Sequence, residues 1–300
     1  MNRPTVEASN RSTAVLALWV LISTQLITSA TYMVAKLGLR EFTPFAYGCF
    51  RFLLAGLVYL AILKAGGKLR LPPRSDWAKF LGLAFVCVPL NQGIFLYGIK
   101  YTLAAHGALF YATTPIMVLC LSCLWLKERP TSLKILGVLL GFAGVILVLF
   151  DKGIHLSSDT LKGDLLLLVA VLTWALYTIQ AKKLLARFTP LEVTGFSLVL
   201  GSLLFLPLGV PAALRQDYSI VTGAGLFSIL YLALMTSVVA YLVWSWALSH
   251  LEASKVAIVA NLQPLIAALL AWFFLGETVT IRFFLGAAVV LVGVVLTEKG

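Results

Sequence analysis

Long apolar runs separated by short polar segments fill most of this chain of 300 residues. A helix needs about 20 apolar residues to cross the hydrocarbon core of a bilayer. The pattern therefore predicts an all-α, polytopic membrane protein whose loops are too short to hold a soluble domain. The ten predicted spans cover residues 14–36, 44–63, 80–100, 105–126, 133–150, 164–186, 191–210, 223–248, 255–275 and 281–297.

Two stretches, residues 108–144 and 257–293, repeat one another in composition and in spacing. Each contains the pattern Pro-x12-Glu-x8-Gly-x6-Gly within an otherwise apolar segment. A repeat with so long a period indicates two copies of one building block rather than a solenoid. We therefore divide the chain into two five-helix repeats, residues 1–150 and 151–300. Because each copy crosses the membrane an odd number of times, the second repeat is expected to be inverted relative to the first.

The residues that both copies share are typical of a structural framework. A proline inside a helix removes a backbone donor and bends the helix, which makes it a possible hinge. A glutamate at a helix terminus can stabilise a neighbouring helix start or form an ion pair. We therefore predict hinge or structural roles for Pro115, Pro264, Glu128 and Glu277.

Composition and charge support the membrane assignment and set its orientation. The chain is 61% hydrophobic and only 12% charged, which leaves too little polar surface for a soluble globule. The net charge of +11 is spread over short clusters between apolar runs, so nucleic-acid binding is not expected. Lys and Arg concentrate in the segments on the same side as the N-terminus. By the positive-inside rule, both termini are predicted to be cytoplasmic.

Three segments carry a family resemblance: L-A-A-H-G-A-L-F-Y-A-T-T-P with L-K-E-R, L-E-A-S-K-V-A-I-V-A-N-L-Q-P with L-G-E-T, and L-T-W-A-L-Y-T-I-Q-A-K-K-L-L. They resemble the drug/metabolite transporter superfamily, in particular its ten-helix EamA-type branch with two fused five-helix repeats. In the overall character of its sequence, rather than in one motif, the chain most resembles the aromatic amino-acid exporters of that superfamily. The resemblance implies a multi-pass protein of the bacterial plasma membrane (inner membrane). It also implies export of amino acids or related metabolites through a central cavity by alternating access.

Polar side chains inside the spans are candidates for the substrate site, because polar groups in hydrocarbon usually face protein or water. Aromatic faces combined with a few amides suit a small-molecule substrate with an apolar body and a zwitterionic head. The structural alternative is that these groups only join helices or anchor the interfaces. The predicted substrate-binding residues are Gln25, Tyr32, Asn91, Tyr111, Trp174, Tyr177, Tyr241, Trp244 and Asn261.

The charged residues refine this hypothesis. Arg51 lies within the second span, and we expect its side chain to snorkel to the outer headgroups or to pair with a helix C-terminus rather than to bind a substrate carboxylate. Spans one and six contain no Asp or Glu over residues 15–36 and 165–182. Drug antiporters of the superfamily carry a carboxylate in the middle of their first helix. Facilitated export of a neutral or zwitterionic substrate is therefore favoured over carboxylate-coupled antiport of a cation.

Two alternatives remain open on the sequence alone. The same fold could carry another metabolite, such as a nucleotide-linked sugar or a phosphorylated compound, or a drug. A protein of another class, an integral-membrane enzyme or receptor, would need converging His, Asp, Glu or Cys side chains. The histidines at positions 106, 155 and 250 have no evident partners, so we expect no enzyme activity, no cofactor and no metal. Beyond the substrate and the lipid bilayer, no partner and no oligomer is required.

Overall fold

The computed structural model describes residues 4–67, 71–151, 158–266, 269 and 280–300. Within these residues the secondary structure is helical throughout, which confirms the predicted all-α class. We number the apolar helices of this part of the chain α1 to α10. They are α1 Pro4–Gly38, α2 Pro44–Ala65, α3 Arg74–Tyr101, α4 (Ala104–Tyr111 and Thr114–Trp125), α5 Ser132–Asp151, α6 Ser158–Leu185, α7 Pro190–Leu214, α8 Gly223–His250, α9 Ala253–Ile266 and α10 Ile281–Lys299.

Eight of these helices are long and apolar enough to cross a bilayer, and the apolar parts Ser132–Leu147 of α5 and Ala253–Ile266 of α9 are shorter. Large apolar side chains remain exposed on the outside of the bundle, for example Leu16, Leu57 and Leu124. Such a surface is stable only when hydrocarbon covers it. The chain is therefore a multi-pass membrane protein, and its described helices lie where the hydropathy pattern predicts them. Residues 267–268 and 270–275 of the ninth predicted span lie outside the described residues.

Four helices depart from regular α geometry, and they form two pairs at equivalent places in the halves. α3 contains a π-helical segment over Val86–Gln92, and α8 contains one over Leu232–Ala240. α4 is interrupted between Tyr111 and Thr114, while α9 passes through a 3-10 turn at Val259–Asn261. These irregular turns free backbone groups that neighbouring helices must satisfy.

The matched prolines sit beside these irregular turns. Pro115 occupies the first turn of the second segment of α4, where its missing amide hydrogen costs nothing. The interruption of α4 lies just before it, so the span predicted for residues 105–126 is present and contains a turn at residues 112–113. Pro264 is buried in α9, a few residues after the 3-10 turn. Their hinge role remains a prediction.

Helices α5 and α10 meet along four glycines, Gly137, Gly144, Gly286 and Gly293, which we call the glycine seam. A Cβ atom built on Gly137 would lie 2.6 Å from the carbonyl oxygen of Gly293. One built on Gly144 would lie 2.7 Å from the carbonyl oxygen of Gly286. In the repeat Gly137 corresponds to Gly286 and Gly144 corresponds to Gly293. The contacts are therefore crossed, because the first glycine of each helix meets the second glycine of the other. It follows that the two helices run antiparallel. The doubled Gly-x6-Gly spacing thus joins the two halves by backbone contact.

Helices α2 and α7 form a second crossed contact between the halves. A Cβ atom built on Gly195 of α7 would lie 2.9 Å from the side chain of Leu63 in α2. A Cβ atom built on Gly209 would lie 2.7 Å from the Cβ atom of Cys49. The neighbouring Gly56 faces Ser202 in the same way, at 2.6 Å from its hydroxyl oxygen. Close approach of small residues is the usual basis of helix association in membranes. The two halves are therefore interleaved rather than merely adjacent.

Two lysines at equivalent positions of the two repeats cap the C-terminal ends of helices. The Nζ atom of Lys36 donates to the carbonyl oxygens of Ile99 and Lys100, each at 3.1 Å, at the end of α3. The Nζ atom of Lys182 donates to the carbonyl oxygens of Leu248 at 2.5 Å and Leu251 at 2.7 Å, at the end of α8. A cation at a helix C-terminus pairs with the negative end of the dipole and with unpaired carbonyls.

Replacing Lys182 by Met should lower the free energy of unfolding by about 1–3 kcal/mol, because two carbonyl oxygens lose a charged donor. The adjacent Lys183 is exposed and only faces the Trp125 ring, with Nζ 5.3 Å from its centroid. Lys183→Met is the matched control and should cost about 0.5 kcal/mol at most. Thermal unfolding of the two variants in detergent measures the difference. Equal melting temperatures would contradict a capping role for Lys182.

Glu128 also connects the halves. Its carboxylate accepts hydrogen bonds from the backbone amide of Ala253 at 2.7 Å and from the hydroxyl of Ser254 at 2.8 Å. It thereby supplies acceptors to the unpaired donors at the start of α9. Glu277, its counterpart in the second repeat, lies outside the described residues.

Candidate functional site

A central cavity lies between the two halves, near the middle of the helices. The space open to the centres of water molecules is about 80 Å³, enough for several waters at about 10–15 Å³ each. Helices α1, α2, α3, α4, α6, α8 and α9 contribute to its wall, whereas α5, α7 and α10 do not. The lining residues are Leu21, Thr24, Gln25, Thr28, Thr31, Tyr32, Arg51, Gln92, Phe95, Tyr111, Thr114, Trp174, Thr236, Ala240, Tyr241, Trp244, Ala260 and Gln263.

One side of the cavity is formed by amides and hydroxyls that connect α1 to α9. The Nε2 atom of Gln263 donates to the Oε1 atom of Gln25 at 3.0 Å. The phenol of Tyr32 donates to the Oε1 atom of Gln263 at 2.9 Å, and the hydroxyl of Thr28 donates to the Oε1 atom of Gln25 at 3.1 Å. Because Gln25, Thr28 and Tyr32 are spaced by three and four residues, one face of α1 presents all of them.

Another part of the lining is an aromatic wall, which we define as Trp174 of α6 with Tyr241 and Trp244 of α8. The ring centroid of Trp174 lies 5.1 Å from that of Tyr241 and 5.5 Å from that of Trp244. Tyr177 stacks on Trp174 from behind, at 5.1 Å and an interplanar angle of 29°. Such spacings are those of favourable aromatic pairs. The wall is therefore held by ring contacts between two helices of the second repeat, α6 and α8, and not by one helix.

Arg51 is the charged residue of the described lining, and its side chain is 1% exposed. Its Nε atom donates to the hydroxyl of Ser237 at 3.0 Å, and its Nη1 atom donates to the Oε1 atom of Gln92 at 3.1 Å. The guanidinium carbon also lies 4.7 Å from the centroid of the Phe52 ring. The expected snorkelling of Arg51 is wrong, because α2 turns this position towards α3 and α8 rather than towards lipid.

Six of the nine predicted substrate-binding residues line the cavity: Gln25, Tyr32, Tyr111, Trp174, Tyr241 and Trp244. The other three are fully buried just behind it. The amide of Asn91 donates to the carbonyl oxygen of Ala170 at 2.6 Å, which ties α3 to α6. Tyr177 supports the aromatic wall, and Asn261 packs against Gly141 of α5, 2.7 Å from where a Cβ would be.

Arg51, Gln92 and Gln263 are lining residues that the predicted set lacks. Gln92 directly follows Asn91 in the sequence, and Gln263 lies two residues after Asn261. Polarity alone does not tell which member of such a pair faces inward. The π-helical segment of α3 and the 3-10 turn of α9 change the rotation per residue at or next to these pairs. Ordinary helical spacing therefore does not predict which residue of each pair faces the cavity.

A second buried polar cluster lies outside the cavity, where α3, α4 and α6 meet. The Nδ1 atom of His106 lies 2.9 Å from the Oδ1 atom of Asp164. The hydroxyl of Thr102 donates to the same oxygen at 2.5 Å, and the hydroxyl of Thr160 donates to Oδ2 at 3.0 Å. The sequence shows no evident partner for His106, and the structure provides one in Asp164. Nothing in the sequence signals this pair, since its members are far apart and belong to different repeats.

Apolar helices that enclose a polar and aromatic cavity between two related halves define a membrane transporter as the class of protein. The model of the EamA-like transporter family matches residues 15–150 and again residues 161–298. The chain belongs to the EamA-like transporter family, and it carries two copies of that family's repeat.

Similar proteins agree with this assignment. An uncharacterized transporter of Archaeoglobus fulgidus is 30% identical over 93% of this chain and 96% of its own length. The uncharacterized transporters YyaM and YetK of Bacillus subtilis are 29% and 30% identical, over 94% and 90% of this chain and 92% and 83% of their own lengths. A solved crystal structure shares the fold with a TM-score of 0.77 at 17% identity, over 94% of this chain and 98% of that one.

Proposed function

We propose that this transporter exports amino acids with aromatic or other hydrophobic side chains across the bacterial plasma membrane. The observation that carries the proposal is the central cavity, whose lining combines an aromatic wall with polar groups. The aromatic wall suits an apolar or aromatic side chain, because ring stacking adds to the gain from apolar burial. The amides, hydroxyls and guanidinium that also line the cavity suit the polar head of the same molecule.

The charges of the lining favour facilitated export over proton-coupled antiport, in which a buried carboxylate would bind the proton and the cationic substrate in turn. No Asp or Glu is among the residues that line the described cavity. A lipophilic cation would therefore meet no buried counter-charge there. A zwitterion, which is neutral overall, needs no such group and can move down its own concentration gradient.

The two repeats suggest how the cavity becomes accessible from each side in turn. We propose that residues 1–150 and 151–300 act as inverted halves, with both termini cytoplasmic, that rock about the cavity. The crossed contacts of α5 with α10 and of α2 with α7 support this, because the two helices of each pair run antiparallel and occupy equivalent positions in the halves. The irregular turns of α3, α4, α8 and α9 are candidate bending points, and Pro115 and Pro264 lie close to two of them.

Transport into proteoliposomes tests the proposal directly. Liposomes with the purified protein should take up labelled phenylalanine or tryptophan without an imposed proton gradient, with saturable rates that exceed those of protein-free liposomes. Uptake should end when the internal and external concentrations are equal. Failure to transport any amino acid in a full panel under these conditions would reject the proposed function.

A further inference from the structure

The guanidinium of Arg51 is a buried positive charge within the membrane, and such a charge is energetically unfavourable unless a negative charge pairs with it. The side chain is 1% exposed, and the residue lies within the membrane-spanning helix Pro44–Ala65. Among the described residues no carboxylate lies within ion-pair distance of it, and its two hydrogen-bond partners are the neutral groups of Ser237 and Gln92. A charge removed from water without a counter-charge is strongly disfavoured in hydrocarbon.

The hydrogen bonds of Arg51 leave the Nη2 end of the guanidinium available. Nε and one Nη1 hydrogen are used by Ser237 and Gln92, whereas Nη2 has no hydrogen-bond partner among the described residues. The two accepting residues lie on α8 and α3, so they fix the plane of the guanidinium from both sides. Arg51 itself belongs to the wall of the central cavity. A charged group held in this way, with its Nη2 hydrogens unpaired, is prepared to donate charge-assisted hydrogen bonds to a carboxylate.

We propose that Arg51 is the carboxylate anchor of the central cavity, and that the cargo is a small organic acid or amino acid with a free carboxylate. The proposal rests on the proposed function to the extent that it treats this cavity as the substrate site. A single cation in the described lining matches a single negative charge. A phosphorylated cargo would bring a second negative charge without a second basic residue in the lining, so the charge balance favours a carboxylate over a phosphate.

The aromatic wall completes the recognition of such a cargo. The carboxylate at Arg51 orients the molecule, and its apolar group packs on Trp174, Tyr241 and Trp244. The lining described above contains no acidic residue that would select for an amino group. We therefore expect the carboxylate to be required for binding, and an arylalkanoic acid without an amine to compete with an aromatic amino acid.

Thermal unfolding of the intact protein in detergent tests this with three probes of similar shape: 3-phenylpropanoate, 3-phenylpropanamide and 2-phenylethylamine. A ligand that binds the folded state raises the melting temperature in a concentration-dependent way. The acid should raise it, whereas the neutral amide and the amine should do so only at concentrations about tenfold to a hundredfold higher. Equal responses to acid and amide, including no response to either, would overturn the assignment of Arg51.

Substitutions localise the effect. In Arg51→Gln the apparent affinity for 3-phenylpropanoate should fall by about tenfold or more, and in Arg51→Lys it should be intermediate because the charge remains without the planar fork. Arg187→Gln is the matched control, since Arg187 is 57% exposed and pairs with Asp76 away from the cavity. Unchanged acid binding in Arg51→Gln would overturn the proposal. If that variant does not fold, Arg51→Lys and the acid–amide comparison in the unaltered protein decide.

The outcome is separable from the test of the proposed function. Transport of labelled phenylalanine with no preference for acid over amide would reject the carboxylate anchor and keep the amino-acid exporter. Selective binding of 3-phenylpropanoate without transport of any amino acid would keep the anchor and reject amino acids as cargo.

Discussion

Replacing Trp174 by Ala is expected to reduce phenylalanine transport at low substrate concentration by about thirtyfold or more. Aromatic anchors in enclosed sites commonly contribute about 2 kcal/mol or more, which corresponds to that factor. Trp174 is central to the aromatic wall, with its ring in contact with Tyr241, Trp244 and Tyr177. The substitution therefore removes one ring on which the substrate could stack. It also removes a packing contact of the other two rings of the aromatic wall, Tyr241 and Trp244.

Companion variants separate a loss of binding from a loss of structure. Trp174→Phe keeps an aromatic face and should retain more transport than Trp174→Ala, while Tyr241→Ala should behave like Trp174→Ala. The matched control is Trp246→Ala on α8, because Trp246 contacts the His250 ring at 5.3 Å between centroids and does not line the cavity. Initial rates in proteoliposomes, normalised to folded protein by size-exclusion chromatography, give the comparison. Unaltered rates in both Trp174→Ala and Tyr241→Ala would remove the aromatic wall from the substrate site.

Replacing Gly137 by Val is expected to prevent the normal packing of α5 on α10 and to destabilise the protein by about 3 kcal/mol or more. The first added carbon would lie 2.6 Å from the carbonyl oxygen of Gly293 and 2.7 Å from the amide nitrogen of Thr297. Both are backbone atoms, which cannot rotate away as a flexible side chain can. The helices must separate, and the contacts along the whole glycine seam weaken with them.

Other glycines provide a graded series for this prediction. Gly141→Ala should cost less than Gly137→Val, because the added carbon meets the side chain of Asn261 rather than backbone. Gly82→Ala should be neutral or slightly stabilising, since no atom lies within 4 Å of its Cβ position and Ala favours the helix. Yields of monodisperse protein and melting temperatures in detergent rank the variants. A melting temperature of Gly137→Val equal to that of Gly82→Ala would contradict the close contact.

The sequence predicts the helices well because a bilayer imposes a length and a polarity on every span. It cannot predict how the helices are interrupted, since hydropathy carries no information on backbone hydrogen bonding. The span over residues 105–126 is thus broken between Tyr111 and Thr114, and α3 and α8 contain π-helical segments. The repeat in the sequence contains the four glycines of the glycine seam, but only the structure shows that they bring α5 and α10 together and that their contacts are crossed.

The candidate site is predictable to a smaller extent, for a reason that Arg51 and His106 illustrate. Aromatic residues in spans six and eight can be assigned to one face by ordinary helical spacing, and the structure does bring Trp174, Tyr241 and Trp244 together. Arg51 faces the cavity because of the way α2 packs between α3 and α8. His106 meets Asp164 because α6 begins beside the end of α3. Both depend on contacts between distant segments, which no local pattern encodes.

The glycine seam has a mechanical consequence. Where backbone packs on backbone, there are few side chains whose rotation could accommodate sliding, so α5 and α10 form a stiff spine along which the halves are joined. The compliance of the molecule must then reside elsewhere, in the interrupted or π-helical turns of α3, α4, α8 and α9. Those same helices carry Gln92, Tyr111, Trp244 and Gln263 into the cavity. In the proposed rocking motion, bending of these helices would displace the walls of the cavity while α5 and α10 stay in place.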